Sequence, residues 1–214
     1  ATGETITALM LDSILAPSAL QPALNYLNTG DVSHTETLAR QIVAAVTLNG
    51  SADSSLIQKL NLLQNANGGF GSYAGYESDP VSTSWALRAY AASRLNNAVV
   101  AKAVNYLVTT INTDKGWRVD KASSLAVTAE VLIALNAFKQ YAAVPPVIAS
   151  ARAYLTAQKN TDGLWGQDFE SALVLSALSY GAPSIAELQT SADLLAAKQD
   201  ASASWSGDVY TTAL

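Results

Sequence analysis

Residues 152–165 read RAYLTAQKNTDGLW, and this stretch decides the fold class. Tyr154, Leu155 and Gln158 lie three, four and seven positions after Ala151, which is the spacing of one face of a helix. Asn160 to Gly163 then supply residues that tolerate left-handed backbone and that end helices. The stretch therefore predicts a helix that stops at a tight turn just before a large aromatic residue, Trp165.

The same spacing recurs along the chain, with a leucine ten residues before a large aromatic residue. The pairs are Leu60 and Phe70, Leu107 and Trp117, Leu155 and Trp165, and Leu195 and Trp205. Successive aromatic residues are 47, 48 and 40 positions apart. Each interval holds two helices and two turns, so the sequence predicts a helical hairpin that is repeated along the chain.

A second helix is expected after each aromatic residue. Residues 172–178 and 125–135 are apolar on nearly every side, which indicates helices buried all round. Helices are thus expected to alternate between a half-exposed outer set and a buried inner set. The predicted inner helices are 4–14, 34–48, 79–95, 121–138, 168–180 and from 207 onward, and the outer ones are 18–28, 53–65, 98–112, 147–159 and 184–199.

The predicted fold class is therefore all-α, with about eleven helices in one domain over residues 1–214 and no competing strand pattern. The last inner helix would be incomplete at Leu214, so we expect the chain to be truncated there or disordered beyond it. Helix-start signals agree with this division. Asp79-Pro80 has the form of an N-cap and first turn, and Ser33-His34-Thr35-Glu36 has that of a capping box.

Composition limits the classes of function. Half of the 214 residues are hydrophobic and 14% are charged, which excludes a long disordered protein. The net charge of −5 gives no electrostatic basis for binding nucleic acid or anionic lipid. Because the chain has no cysteine, it cannot form disulfides, zinc–thiolate sites or thioesters.

The sequence contains no apolar run of the roughly 20 residues that a membrane span needs. It opens at Ala1 without an initiator methionine and is rich in serine, threonine, asparagine and alanine. We therefore expect an exported protein, extracellular or periplasmic in a bacterium, from which a leader was removed.

The repeated motif resembles that of the prenyltransferase and squalene-cyclase repeat family. Residues 152–165 match a basic-small, aromatic-Leu, Gln, Gly-x-Trp pattern throughout, and residues 64–70 match it with phenylalanine for tryptophan. The resemblance covers residues 51–214 and implies an α/α toroid. It also implies that the aromatic turns are structural braces, formed by Phe70, Trp117, Gln158, Gly163, Trp165 and Trp205.

The resemblance does not carry the activities of this family to the chain. Residues 126–130 read AVTAE, so Ala126 stands where a squalene-type cyclase has its proton-donating aspartic acid. Protein prenyltransferases hold zinc with Asp, Cys and His, whereas this chain has no cysteine and only His34. We therefore expect neither activity, no cofactor and no metal, and interpret His34 as an exposed second residue of a helix.

Two sets of residues are candidates for catalysis or for ligand binding. Glu170 precedes a Ser-Ala pair and is either a buried general acid or a glutamate favoured at a helix start. Four acids are predicted to lie around one mouth of the toroid, either as N-caps or as a rim for a cation or sugar hydroxyls. These acids are Asp79, Asp120, Asp168 and Asp208, with Tyr73, Tyr76, Trp85 and Tyr210 as stacking surfaces.

The resulting hypothesis is an exported, non-catalytic toroid that binds a hydrophobic small molecule, a glycan or a protein at its mouth or cavity. One alternative is an enzyme, either terpenoid cyclase-like or a glycan-active lyase or hydrolase that uses the acidic rim or Glu170. Another is a purely structural surface domain. The burial of the Glu170 side chain distinguishes the enzyme from the binding domain. A buried, unpaired carboxyl group favours catalysis, and a solvated one that caps its own helix favours binding.

Overall fold

The computed structural model describes residues 5–6, 8–9, 16–118, 122–180, 185–205 and 207–214. Over these residues the chain is mostly helical and has no β-strand, which confirms the all-α prediction. It divides into two compact units, Ala1–Thr110 and Ile111–Leu214. The single domain and the toroid stay predictions.

Among the described residues, the first unit contains five helices whose bounds are defined, and residues 5–6 and 8–9 are helical as well. The five helices are α1 (Pro17–Leu27), α2 (Thr35–Asn49), α3 (Ser54–Leu62), α4 (Pro80–Ala92) and α5 (Ala98–Thr109). Helices α2 and α4 form the most extensive helix pair of the unit, and their contact is apolar, with Leu38, Ile42 and Leu87 fully buried. By contrast, α3 buries only Leu60 among its nine residues.

The second unit contains α6 (Leu125–Leu135), a 3₁₀ turn (Asn136–Phe138), α7 (Val144–Ala157), α8 (Asp168–Ser179), α9 (Ile185–Ala196) and α10 (Val209–Ala213). Helix α6 packs on α7 and α8, and α8 packs in turn on α9 and α10. Eight of the eleven residues of α6 are buried, whereas α7 buries four of fourteen. The predicted contrast between buried and half-exposed helices is therefore present in both units.

Some helix bounds differ from the predicted ones. Helix α7 begins at Val144 rather than at 147, because Pro145 and Pro146 lie in its first turn, where a missing N–H costs no hydrogen bond. Helix α6 begins at Leu125 rather than at 121, since Ser124 is its N-cap. No helix of the described residues is long and apolar enough to cross a membrane.

The turn before each of four helices is closed by the same hydrogen bond. The backbone N–H of the aromatic residue donates to the hydroxyl of the fourth residue of the next helix. The pairs are Phe70 and Thr83 (2.9 Å), Trp117 and Thr128 (3.0 Å), Trp165 and Ser171 (2.9 Å), and Trp205 and Thr212 (3.3 Å). This bond ties the end of the turn to the first turn of the following helix.

The spacing of ten residues between leucine and tryptophan also has a physical reason. The indole N–H of Trp165 donates to the carbonyl oxygen of Leu155 at 2.7 Å, and that of Trp205 donates to Leu195 at 2.8 Å. Each indole thereby adds a second donor to a carbonyl near the end of a helix, which also accepts a backbone N–H from Gln158 or Lys198. Phe70, Trp117 and Trp165 are buried, so these rings are packing residues.

The glutamine of the motif braces one aromatic turn but not the other. Gln64 donates its side-chain N–H to the carbonyl oxygens of Gly68 (2.9 Å) and Val99 (2.8 Å), bracing the first aromatic turn. Gln158, predicted as part of the brace, is an exposed C-cap of α7. The turn after it depends instead on Gly163, whose φ of +89° lies in the left-handed region that glycine adopts at low cost.

Candidate functional site

Two of the four predicted acidic residues, Asp79 and Asp208, cap their own helices. Asp79 is the N-cap of α4 and accepts hydrogen bonds from the Ser82 N–H (2.8 Å) and hydroxyl (2.7 Å). Asp208 is the N-cap of α10 and accepts from the Thr211 hydroxyl and N–H, both at 2.6 Å. These two bonds hold the pKa of Asp208 below its usual value.

The other two acids do not occupy equivalent positions. Asp168 is the first residue of α8 rather than its N-cap, which is Gln167, and it forms an ion pair with Lys198 at 2.7 Å. Asp120 lies outside the described residues, and the N-cap of α6 is Ser124. The prediction that the N-cap position holds an acid in every repeat is therefore wrong, because the loop after the aromatic residue varies in length.

Glu170 is a helix-start glutamate. It is the third residue of α8, is half-buried, and accepts a hydrogen bond from the Gln167 N–H at 2.9 Å. This carboxylate satisfies one of the N–H groups left free at a helix start. Glu130, which the sequence analysis did not single out, is instead a buried acid, 6% exposed, in the middle of α6.

His34 is the N-cap of α2, so its placement as an exposed second residue of the helix was wrong. Its Nδ1 accepts from the Thr37 N–H at 3.3 Å, and its side chain is half-buried. The helix begins one residue later than a capping box at Ser33 requires, and the Ser33 hydroxyl bonds Asp31 instead of the helix start. The first residue of the helix, Thr35, is fully buried. The Thr35 hydroxyl donates to the Gly71 carbonyl oxygen at 2.6 Å.

The four predicted stacking residues lie in different environments. Tyr73 and Tyr76 are exposed, at 38% and 62%, and belong to the loop before α4. Trp85 is buried, and the guanidinium groups of Arg40 and Arg88 lie 3.7 and 3.8 Å from its ring centroid. This indole is therefore buried beneath two cations and does not offer the predicted stacking surface to a ligand.

Tyr210, the fourth of these residues, is half-buried in α10 of the second unit. Helix α10, Val209–Ala213, has five residues. The aromatic residues predicted to line one mouth are thus divided between the two units, with three in the first and one in the second.

An apolar cleft of about 560 Å³ lies in the second unit, between α8, α9 and α10. Its walls include Leu175 of α8, Leu188 and Leu195 of α9, and Trp205 before α10. Gln189, Thr211 and Thr212 add a small number of polar groups. The sequence analysis did not predict this cleft, although the run of apolar residues on α8 indicated a face that needs a cover.

A second cleft, of about 710 Å³, lies in the first unit and is more polar. It is lined by the end of α2, α3 along most of its length, the last residue of α4 and the loop between α4 and α5. Arg94 lies in this loop with a φ of +55°. Its other polar groups are mainly amides and hydroxyls, including Gln58, Asn61 and Asn97.

No group of three or more histidine, aspartate or glutamate side chains in the described ranges could hold a metal ion. The chain was also compared with protein families and with curated proteins. No family model matches it, and no curated protein matches it.

Proposed function

We propose that this chain is an exported, non-catalytic binding domain of the α/α-toroid type, similar to the prenyltransferase and squalene-cyclase repeat proteins. Its ligand is a hydrophobic small molecule with an aliphatic or isoprenoid chain. The observation that carries the proposal is the apolar cleft between α8, α9 and α10.

The size and lining of this cleft suit such a ligand. A volume of about 560 Å³ falls in the range of small-molecule sites, which span roughly 300–1,000 Å³. The leucines and the indole offer apolar surface whose removal from water favours binding by about 25 cal/mol per Å². The Thr211 hydroxyl, which donates to Asp208, can accept one further hydrogen bond from a ligand hydroxyl group, and the Gln189 amide can donate or accept one.

The hydrogen bonds and the ion pair that the candidate acids form favour a binding function over a catalytic one. A general acid needs a proton near neutral pH and a free path to its substrate. Glu170 accepts from its own helix start, Asp79 and Asp208 are N-caps, and Asp168 pairs with Lys198. Each carboxylate already performs a structural task, which supports a domain that holds a ligand without transforming it.

Titration with the fluorescent apolar probe N-phenyl-1-naphthylamine tests the proposal. Ala192 lines the cleft, so Ala192→Trp should fill it and weaken probe binding at least tenfold. Ala153→Trp is the matched control, because Ala153 is exposed on α7 and should leave binding unchanged.

Displacement of the probe by a long-chain alcohol or a fatty acid should occur in the wild-type chain and in Ala153→Trp. Circular dichroism checks that both variants keep their helices. The proposal is wrong if the probe fails to bind the wild-type chain, or if Ala192→Trp binds it as well as the control does.

A further inference from the structure

Three aromatic side chains of the first unit form one surface, which we term the tyrosine patch: His34, Tyr73 and Tyr76. The ring centroids of Tyr73 and Tyr76 are 5.5 Å apart, and those of His34 and Tyr73 are 4.9 Å apart with the rings nearly perpendicular. Tyr76 is 62% exposed and Tyr73 is 38% exposed. Exposed aromatic surface of this kind is common in sites that bind a partner.

The loop that carries the two tyrosines is held firmly. The Thr35 N–H donates to the Ser72 carbonyl oxygen at 2.9 Å, and the buried Thr35 hydroxyl bonds Gly71. The Asn65 side-chain amide donates to the Tyr76 carbonyl oxygen at 2.8 Å. Because the loop is already ordered, a partner would bind the tyrosines at a small cost in conformational entropy.

The bracing of the aromatic turn does not need this loop. Asp79, the N-cap of α4, follows Phe70 by nine positions, whereas Gln167, the N-cap of α8, follows Trp165 by two. The bond from aromatic N–H to helix hydroxyl forms in both turns at 2.9 Å. The additional residues before α4 tie the loop to Thr35 and Asn65, and they also carry both exposed tyrosines.

Two acidic side chains flank the tyrosine patch in the sequence, Asp31 and Glu77. The other nearby acids are engaged elsewhere, since Glu36 pairs with Arg40 and Asp79 caps α4. Asp31 and Glu77 are exposed, at the two ends of the patch in the sequence. Hydrogen bonds from the Ser33 hydroxyl and N–H keep the pKa of Asp31 below its usual value, so this carboxylate is charged at neutral pH.

We propose that the tyrosine patch binds a protein segment that presents arginine or lysine side chains. The faces of the tyrosine rings attract the cations, with arginine favoured because its planar guanidinium also stacks on aromatic rings. Asp31 and Glu77 add charge complementarity and orient the approach. This surface is independent of the apolar cleft in the second unit, so either proposal can fail without the other.

A short peptide of alternating arginine and glycine is the probe, and the same peptide with citrulline in place of arginine is its uncharged counterpart. Isothermal titration with the full chain measures the dissociation constants. The double variant Tyr73→Ala/Tyr76→Ala should weaken binding of the arginine peptide roughly tenfold, since two cation–π contacts contribute about 0.5–1 kcal/mol each at an exposed site. Tyr26→Ala is the matched control, because Tyr26 is 70% exposed in the same unit.

The substitutions leave the net charge unchanged, so general attraction of a cationic peptide to the acidic chain is the same in all variants. Tyr73→Phe/Tyr76→Phe should bind as the wild type does, because phenylalanine keeps the ring face. The proposal is overturned if the arginine peptide does not bind, or if the citrulline peptide binds equally well. It is also overturned if the alanine double variant and Tyr26→Ala bind the arginine peptide alike.

Discussion

The hydroxyl of Ser171 offers the sharpest test of how the aromatic turns are held together. Its oxygen accepts from the Trp165 N–H at 2.9 Å, and its proton is donated to the Trp165 carbonyl oxygen at 2.6 Å. Ser171 is 1% exposed, and so is Trp165. The substitution Ser171→Ala therefore leaves two buried backbone groups without these partners.

The expected loss follows from these contacts. A buried polar group that loses its partner costs about 1–3 kcal/mol, and alanine regains about 0.5 kcal/mol over serine as a helix former. Because two groups lose their partner, Ser171→Ala should lower the free energy of unfolding of the second unit by about 1.5–5.5 kcal/mol. Ser171→Thr keeps the hydroxyl, as Thr83 and Thr128 do in the other turns, and should stay within about 1 kcal/mol of the wild type.

Urea denaturation followed by circular dichroism measures these changes, and hydrogen exchange of the Trp165 amide reports the local bond. Ser176→Ala is the control, because Ser176 is half-buried on the same helix and lines the cleft. It should change the stability by less than about 1 kcal/mol. Equal losses in Ser171→Ala and Ser176→Ala, or a Ser171→Thr variant as unstable as Ser171→Ala, would refute the reasoning.

Three further predictions concern the caps and turns. Asp79→Ala should lower the free energy of unfolding by about 1 kcal/mol through the lost N-cap, while Asp79→Asn keeps the acceptor and most of the stability, as thermal unfolding would show. Hydrogen bonds from Ser202 and its neighbours lower the folded-state pKa of Asp200 to about 2, so this carboxylate stabilises the fold above the unfolded pKa of about 3.9. That contribution is lost as the pH falls from about 4 to about 2. The urea midpoint of Asp200→Asn should therefore decline less over this pH range than that of the wild type. An equal decline in both proteins would contradict the lowered pKa of Asp200. Lys115 has a φ of +73° at the position that Gly163 occupies in another turn. Calorimetry should find Lys115→Gly neutral or up to about 1 kcal/mol stabilising, and Gly163→Ala destabilising. A destabilised Lys115→Gly together with an unchanged Gly163→Ala would count against left-handed strain.

Much of the fold could be predicted from the sequence, because helices depend on local patterns. The 3.6-residue periodicity, the proline positions and the cap residues act within a few positions of one another, and they placed α4 and α8 within a few residues of their observed bounds. The spacing of ten between Leu155 and Trp165 was also visible. In two of the turns, an indole of fixed length bonds the carbonyl of that leucine, as Trp165 bonds Leu155 and Trp205 bonds Leu195.

The candidate sites were predicted less well. Asp79 and Asp208 cap their helices as predicted, but Asp168 does not, because Gln167 takes that place. One local signal could have corrected this error. In the four helices that follow an aromatic turn, the residue four positions after the N-cap carries a hydroxyl that bonds the aromatic N–H. Counting back four positions from Ser171 gives Gln167 as the N-cap.

The sequence by itself determined the fold class, the alternation of buried and half-exposed helices and the positions of the aromatic turns. Only the tertiary structure decided which side chains are exposed. Trp85 is covered by Arg40, which lies 45 positions earlier on another helix, whereas Tyr76 stays in water at the end of a loop tied to Thr35. Helix formation depends on neighbours in the chain, but exposure depends on residues that only folding brings together, and a binding surface is defined by exposure.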